Sequence, residues 1–259
     1  MSLTDDEILK FQQGTPVFID DICAVYSVKV REIIEIGYSK FQQYLGAITA
    51  TKPESNQKEE PEYRQLIEQL TDFQYLLMTA SLDKEFNSLL KQAFHFFIHD
   101  SVSFSLDPTQ IIIGPLEEKH ILNEEKFYEL QSVIKRAYFL EQDGEDIIIY
   151  ANDNEAVRNL KMKMRANREK VRKAKAKQAA KEKSDLKFSD LIGSITINNC
   201  GLNMENIWNI TYYALQDQMK RMGWRDQFNI NNQAALAGAK LKKHQLKHWM
   251  RSITSTDKS

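Results

Sequence analysis

The chain has 259 residues, 42% hydrophobic and 27% charged, with a formal net charge of −1. That is enough apolar material for a core and too much for a disordered chain, while two cysteines, Cys23 and Cys200, exclude a disulfide scaffold and fit a reducing compartment. No apolar run approaches the roughly 20 residues of a membrane span, and the acidic opening MSLTDDEILK is not expected to act as a secretory signal.

The near-neutral total hides three unlike pieces. Residues 1–157 carry 13 Lys/Arg against 28 Asp/Glu, residues 158–183 carry 12 against two, and residues 184–259 carry 10 against six. An acidic body, a basic bridge and a mildly basic tail follow one another. All five prolines (16, 53, 61, 108, 115) precede residue 116, so everything beyond is free to be helical.

In chain order, residues 3–12 predict a short helix with Thr4 as N-cap and Glu7 completing a capping box; Gly14 and Pro16 end it. Val17–Ile19 and Ile22–Tyr26 read as two short strands around Asp20-Asp21. The apolar positions Val30, Ile33, Ile34, Phe41, Leu45 and Ile48 have helical spacing, interrupted at Gly37. Residues 51–62 are polar, contain two prolines and predict an exposed loop. Helices are expected over 61–80 and 82–99, the second with a Leu/Phe stripe on its core face. The period then switches to two: Val102–Leu106 and Ile111–Ile113 flank Asp107-Pro108-Thr109 as a strand–turn–strand. Asn123, followed by Glu124 and Glu125, opens a helix over 123–139, and residues 146–150 are either one more strand or an apolar lead-in.

Residues 153–183 contain neither Gly nor Pro and consist almost wholly of good helix formers. Val157, Leu160, Met164, Asn167, Val171, Ala174 and Gln178 alternate by three and four. This seam predicts that the first two turns pack on something while the rest stands in water. Beyond it, Leu186, Phe188, Leu191, Ile192 and Ile195 share a helix face. Asn198–Gly201 forms a turn, Asn203 caps a helix ending at Gly223, and a small-residue helix around 234–239 precedes a final amphipathic one. The expected architecture is α+β and predominantly helical. It comprises an acidic α+β domain over 1–152, a basic connecting helix over 153–184 and a small all-helical domain over 185–259.

No constellation asks for catalysis. His95/His99 and His244/His248 have the i, i+4 spacing of zinc ligands, but HFFIH lacks the acidic base and HQLKH lies among lysines that repel a cation. Cys23 and Cys200 have no evident activating partner, and no glycine-rich phosphate loop or GxSxG occurs. No catalytic residue, metal or cofactor is therefore expected. The candidates are partner-binding ones: Arg158, Lys161, Arg165, Arg168, Arg172 and Lys175 on the basic helix, and Trp208, Tyr212, Trp224 and Trp249, which read as core anchors or, alternatively, with one or two exposed as a partner hot spot.

Three stretches carry a resemblance: PVFIDDICAVYSVKVREIIEIGYSKFQQYLGAIT near the start, GLNMENIWNITYYALQDQMKRM, and NINNQAALAGAKLKKHQLKHWM near the end. They resemble tail-assembly chaperones and closely linked tail-morphogenesis proteins encoded among the tail genes of Firmicutes phages and prophages. Trp208, Thr211, Tyr212, Asp217, Leu236, Ala237, Gly238 and Trp249 match that pattern as structural or interfacial positions. The resemblance implies a non-enzymatic protein of the bacterial host cytoplasm, or one carried in the virion. It would bind tape-measure-like tail proteins and self-associate. The long basic bridge departs from a minimal chaperone. The competing reading is nucleic-acid binding by residues 158–183, although no aromatic side chains interleave the lysines for base stacking. Neutralising six phosphates predicts a slope of about −5 in log affinity against log salt; retention on duplex DNA across a salt series measures it.

Overall fold

The computed structural model describes residues 4–53, 61–115, 119–140, 147–150, 152–182, 187–198, 201–241 and 248–250. Helix α1 (Asp5–Gln13) starts at the Thr4/Glu7 capping box and ends at Gly14, whose φ of 88° is the left-handed cap. Strands β1 (Val17–Ile19) and β2 (Cys23–Val25) pair antiparallel with Val17 opposite Val25. Helices α2 (Val30–Ile36) and α3 (Tyr38–Ile48) meet at Gly37, φ 87°, where the sequence marked the interruption. The loop expected over 51–62 falls mostly on residues 54–60, outside the described residues.

The helix expected over 61–80 is two helices, α4 (Pro61–Gln69) and α5 (Asp72–Leu82). Thr71 is the reason. Its hydroxyl accepts from the Gln74 amide while the Gln74 side chain accepts from the Thr71 amide, a second capping box inside an apparently continuous periodic stretch. Helix α6 (Lys84–Ile98) buries Leu90, Ala93, Phe94 and Phe97 as the stripe predicts. Strands β3 (Val102–Leu106) and β4 (Thr109–Ile113) form the expected hairpin. A third strand not expected from the sequence, β5 (His120–Leu122), adds to β4 and places Leu122 beside Ile111. Asn123 caps α7 (Glu124–Ala137) by accepting from the Lys126 amide at 3.0 Å. Residues 147–150 form no strand; they lead into α8 (Glu155–Glu182) with Ile149 fully buried.

After α8 come α9 (Phe188–Asn198), a 3₁₀ turn over Ile207–Asn209, and α10 (Tyr212–Leu236). Two sequence expectations are corrected here. Asn203 caps only a short turn, through the Glu205 and Asn206 amides; the long helix begins at Thr211, whose hydroxyl accepts from the Ala214 amide. Gly223 does not stop that helix, which runs through to Leu236 and ends before Gly238, φ 92°. A helical glycine costs only about 1 kcal/mol, less than is lost by breaking a long helix. The helix expected around 234–239 is therefore the end of α10. Most of the final amphipathic helix expected beyond it, and the chain end, lie outside the described residues.

The core is shared between the two ends of the chain. Tyr212 and Phe188 belong to the same buried cluster as Phe41, Phe97 and Tyr138. The Phe41 and Tyr212 rings lie 5.2 Å apart, Tyr38 stacks on Phe188 at 4.4 Å, and Tyr213 sits 4.9 Å from Phe139. Two backbone hydrogen bonds clasp the ends together: the Tyr212 amide donates to the Val28 carbonyl at 2.8 Å, and the Val30 amide to the Ile210 carbonyl at 3.0 Å. A Cβ on Gly14 would stand 3.2 Å from the Thr211 methyl, so the turn after α1 is fitted against the start of α10. Residues 188–195 and 207–215 pack into the same buried cluster as residues 11–138.

This shared core predicts coupled unfolding. Phe41→Ala, deep in the N-terminal half, removes about 3–5 kcal/mol. It lowers the urea midpoint followed by tryptophan fluorescence, although Trp208, Trp224 and Trp249 all lie in the last third of the chain.

Candidate interaction surface on the basic helix

Helix α8 spans 28 residues, about 42 Å, and its first half is held to the body through polar contacts. The deepest is the pair of Asp72 and Arg165. Asp72 opens α5 and its side chain is only 2% exposed. A buried carboxylate must be matched by donors. Here the guanidinium of Arg165 reaches it with both Nη atoms, Nη1 at 3.0 Å, while the Lys52 amide donates to Oδ1 at 3.0 Å. Arg165 also donates from Nε to the Ile147 carbonyl at 2.7 Å. One arginine therefore ties α8 to α5 and to the segment leading into α8.

Two further contacts flank it. Arg158 donates to the Gln69 carbonyl at the end of α4. The Lys161 ammonium sits 2.6 Å from an Asp153 oxygen and lies 5.1 Å above the Tyr150 ring. Its hydrogen bond holds the Asp153 carboxyl below the usual carboxylate range. The Lys52 ammonium caps α4 by donating to the Ile67, Glu68 and Leu70 carbonyls. Burial pulls the Lys52 amine below its ordinary pKa; Asp72 acts in the opposite direction, and Arg158 and Arg165 lower it further.

These contacts decide which side of α8 faces water. Arg158, Lys161 and Arg165 fall on one face at i, i+3, i+7. At 3.6 residues per turn the seam through Val157, Leu160, Met164 and Val171 is centred roughly 100° around the helix from them. Leu160 is 58% exposed, Met164 44% and Val171 56%. The cationic face is docked and the neighbouring apolar seam is exposed, so the packing expected of its first two turns is not made with the described residues of this chain. An amphipathic pattern marks one coherent face without saying whether that face meets the same chain.

The sequence-nominated residues do not gather into one patch. Arg158, Lys161 and Arg165 come together as the anchorage. Arg168 follows on an exposed stretch of α8, and the side chains of Arg172 and Lys175 lie outside the described residues. Tyr212, proposed for partner binding, is 6% exposed in the aromatic core, so packing is its role in this fold. Trp208 is half-buried against that core and donates to the Met204 carbonyl at 2.6 Å. Trp224 is half-buried on α10, and Trp249 stacks on His248, the rings 5.8 Å apart. Asp217, among the positions that carry the resemblance, is buried and pairs with Arg221 and the Gln12 amide group. Asp72, Lys52 and Asp153 were not nominated; an acid just after a threonine N-cap already has a reason to be there in the helix dipole, which masks its pairing with a residue 93 positions away.

Among the described residues no three His, Cys, Asp or Glu side chains are grouped to hold a metal ion, and no helix is long and apolar enough to cross a membrane. His99 stacks on Tyr26 at 4.0 Å. Burial, reinforced by Asp100 and Glu129, pushes the Cys23 thiol up to about 12, so at neutral pH it is protonated and poorly nucleophilic. Cys200 lies outside the described residues.

Residues 177–254 match the family described as the YomV second domain. That domain family is phage-associated. The match begins in the last turns of α8 and continues through α9 and α10. No curated protein and no solved structure matches the chain. The apolar seam from Val157 to Val171 lies ahead of the matched residues.

The anchorage has two measurable consequences. Arg165→Met leaves Asp72 buried without its cation and costs about 3 kcal/mol, the low end for a broken buried pair because Arg165 keeps some exposure; chemical denaturation reads the loss. The Asp153 carboxyl is lowered in the folded state, so its stabilisation is present above the ordinary carboxylate pKa and is lost as pH falls through the lowered value. Amide exchange over 155–165 should therefore accelerate below the usual carboxylate range, and Asp153→Asn should show that faster exchange already at neutral pH.

Proposed function

We propose that this chain is a non-enzymatic phage tail-morphogenesis protein. It acts as a chaperone-like binder of tape-measure-like or other helical tail proteins in the cytoplasm of the bacterial host, with α8 as its gripping element. One observation carries the reading: a helix held to the body by its cationic face presents its apolar stripe outward, an arrangement suited to receiving another protein. The match of residues 177–254 to a phage-associated domain supports the setting, and the resemblance of the terminal stretches to tail-assembly proteins supports the role.

Nucleic-acid binding by residues 158–183 is the alternative. It has fewer cations to offer than the sequence suggests, since Arg158, Lys161 and Arg165 are engaged by the protein's own carbonyls and carboxylates. A phosphate backbone would have to compete with those contacts.

The deciding experiment is affinity purification of the tagged protein from cells in which the phage is assembling, followed by mass spectrometry and electron microscopy of tails from a deletion strain. Recovery of a long helical tail protein, with tails absent or of irregular length in the deletion, is the expected result. Normal tails in the deletion strain, with no tail protein recovered, would overturn the reading.

A further inference from the structure

We infer that the outward seam of α8 is one half of a heterotypic coiled coil whose partner is a helix with acidic residues flanking its own apolar stripe. The inference rests on the reading of α8 as a protein-binding element and specifies the chemistry of what it binds.

The heptad register is set by the exposed side chains. With Val157, Met164, Val171 and Gln178 at a, Leu160, Asn167 and Ala174 fall at d. Of these, Val157, Leu160, Met164 and Val171 are exposed apolar side chains on a helix that needs none of them for its docking. Across 14 residues they form a stripe about 20 Å long. Asn167 is the one polar residue among the three d positions.

The residues beside the stripe identify the partner. In this register Lys161, Arg168 and Lys175 occupy e, and Lys163, Lys170 and Lys177 occupy g: all six flanking positions are basic. Flanking residues choose partner and orientation in coiled coils, because e and g side chains meet their counterparts across the seam. A second copy of α8, parallel or antiparallel, would set cation against cation along the whole contact. A helix with Glu or Asp at its e and g positions would pair at Lys163 and Lys170. Lys161 is already tied to Asp153, so the proximal turn contributes less. The body of this protein is acidic, with 28 Asp/Glu against 13 Lys/Arg before residue 158. It repels an acidic ligand, and the densest run of cations in the chain lies along this helix, which favours docking there.

The test uses the full-length chain and three synthetic peptides of about 21 residues, three heptads. One has Leu and Ile at a and d with Glu at e and g; a second has Lys at e and g; a third has the composition of the first with the heptad scrambled. Fluorescence anisotropy should show the Glu peptide binding at least about ten-fold tighter than either of the others. The variant Leu160→Ser/Met164→Ser/Val171→Ser, which alters only exposed side chains and should keep the wild-type circular dichroism, should lose that preference. Equal binding of the scrambled peptide, or undiminished binding by the variant, would mean that charge alone is read and would overturn the inference. So would sedimentation of the wild-type chain as a dimer that the variant abolishes, or tighter binding of duplex DNA than of the Glu peptide. Failure here while tail proteins are still recovered from assembling cells would discard the acidic-helix assignment and leave the morphogenesis reading standing.

Discussion

The Asp72 carboxylate is removed from water at the start of α5, and the organisation of the basic helix follows from what it requires. A carboxylate in that position is tolerable only with a cation and directed donors around it. Arg165 supplies the cation and the Lys52 backbone an additional donor. A buried ion pair of this kind adds little net stability over a well-packed apolar substitute; what it does well is to admit one arrangement and penalise others. Here the arrangement is a rotation. Bringing Arg165 inward turns Arg158 and Lys161 inward with it and carries Leu160 and Met164 outward.

A second constraint holds the rest of the chain. Thr211 stands where the N-terminal and C-terminal segments meet: its backbone pairs with Lys29, its methyl approaches Gly14, and its hydroxyl caps α10. Tyr212 then enters an aromatic cluster already containing Phe41 and Tyr138. The Tyr138 hydroxyl donates to the Tyr26 carbonyl at 2.7 Å and accepts from the Val28 amide, so this buried phenol has both kinds of partner. Desolvation pushes that phenol well above its ordinary pKa and keeps it in the neutral, donating form. The start of the chain and residues 188–215 are thus interlocked in one core.

Together these two constraints produce an inversion of the usual amphipathic helix. Charged side chains normally face water and apolar ones the core. In α8 the charges nearest the body are consumed by it, and the hydrophobic side remains available. The residues that follow this seam, 177–254, match a phage-associated domain family.

The sequence by itself determined the local features. The Thr4 capping box, the break at Gly37, the β3–β4 hairpin, the Asn123 cap and the long basic helix were all legible, because each depends on a few adjacent residues and on backbone rules that act over one or two turns. The break at Thr71 was present in the letters too, but a periodic apolar run concealed it. Gly223 misled because a helix stop is only a preference, and its cost is small against a continuing helix. Tertiary structure alone decided that Tyr212 is a core residue rather than a contact for partners, and that the seam of α8 faces outward. Both outcomes depend on residues far apart in the chain — Phe41 for the first, Asp72 for the second — and helical periodicity records which side chains share a face, never what that face meets.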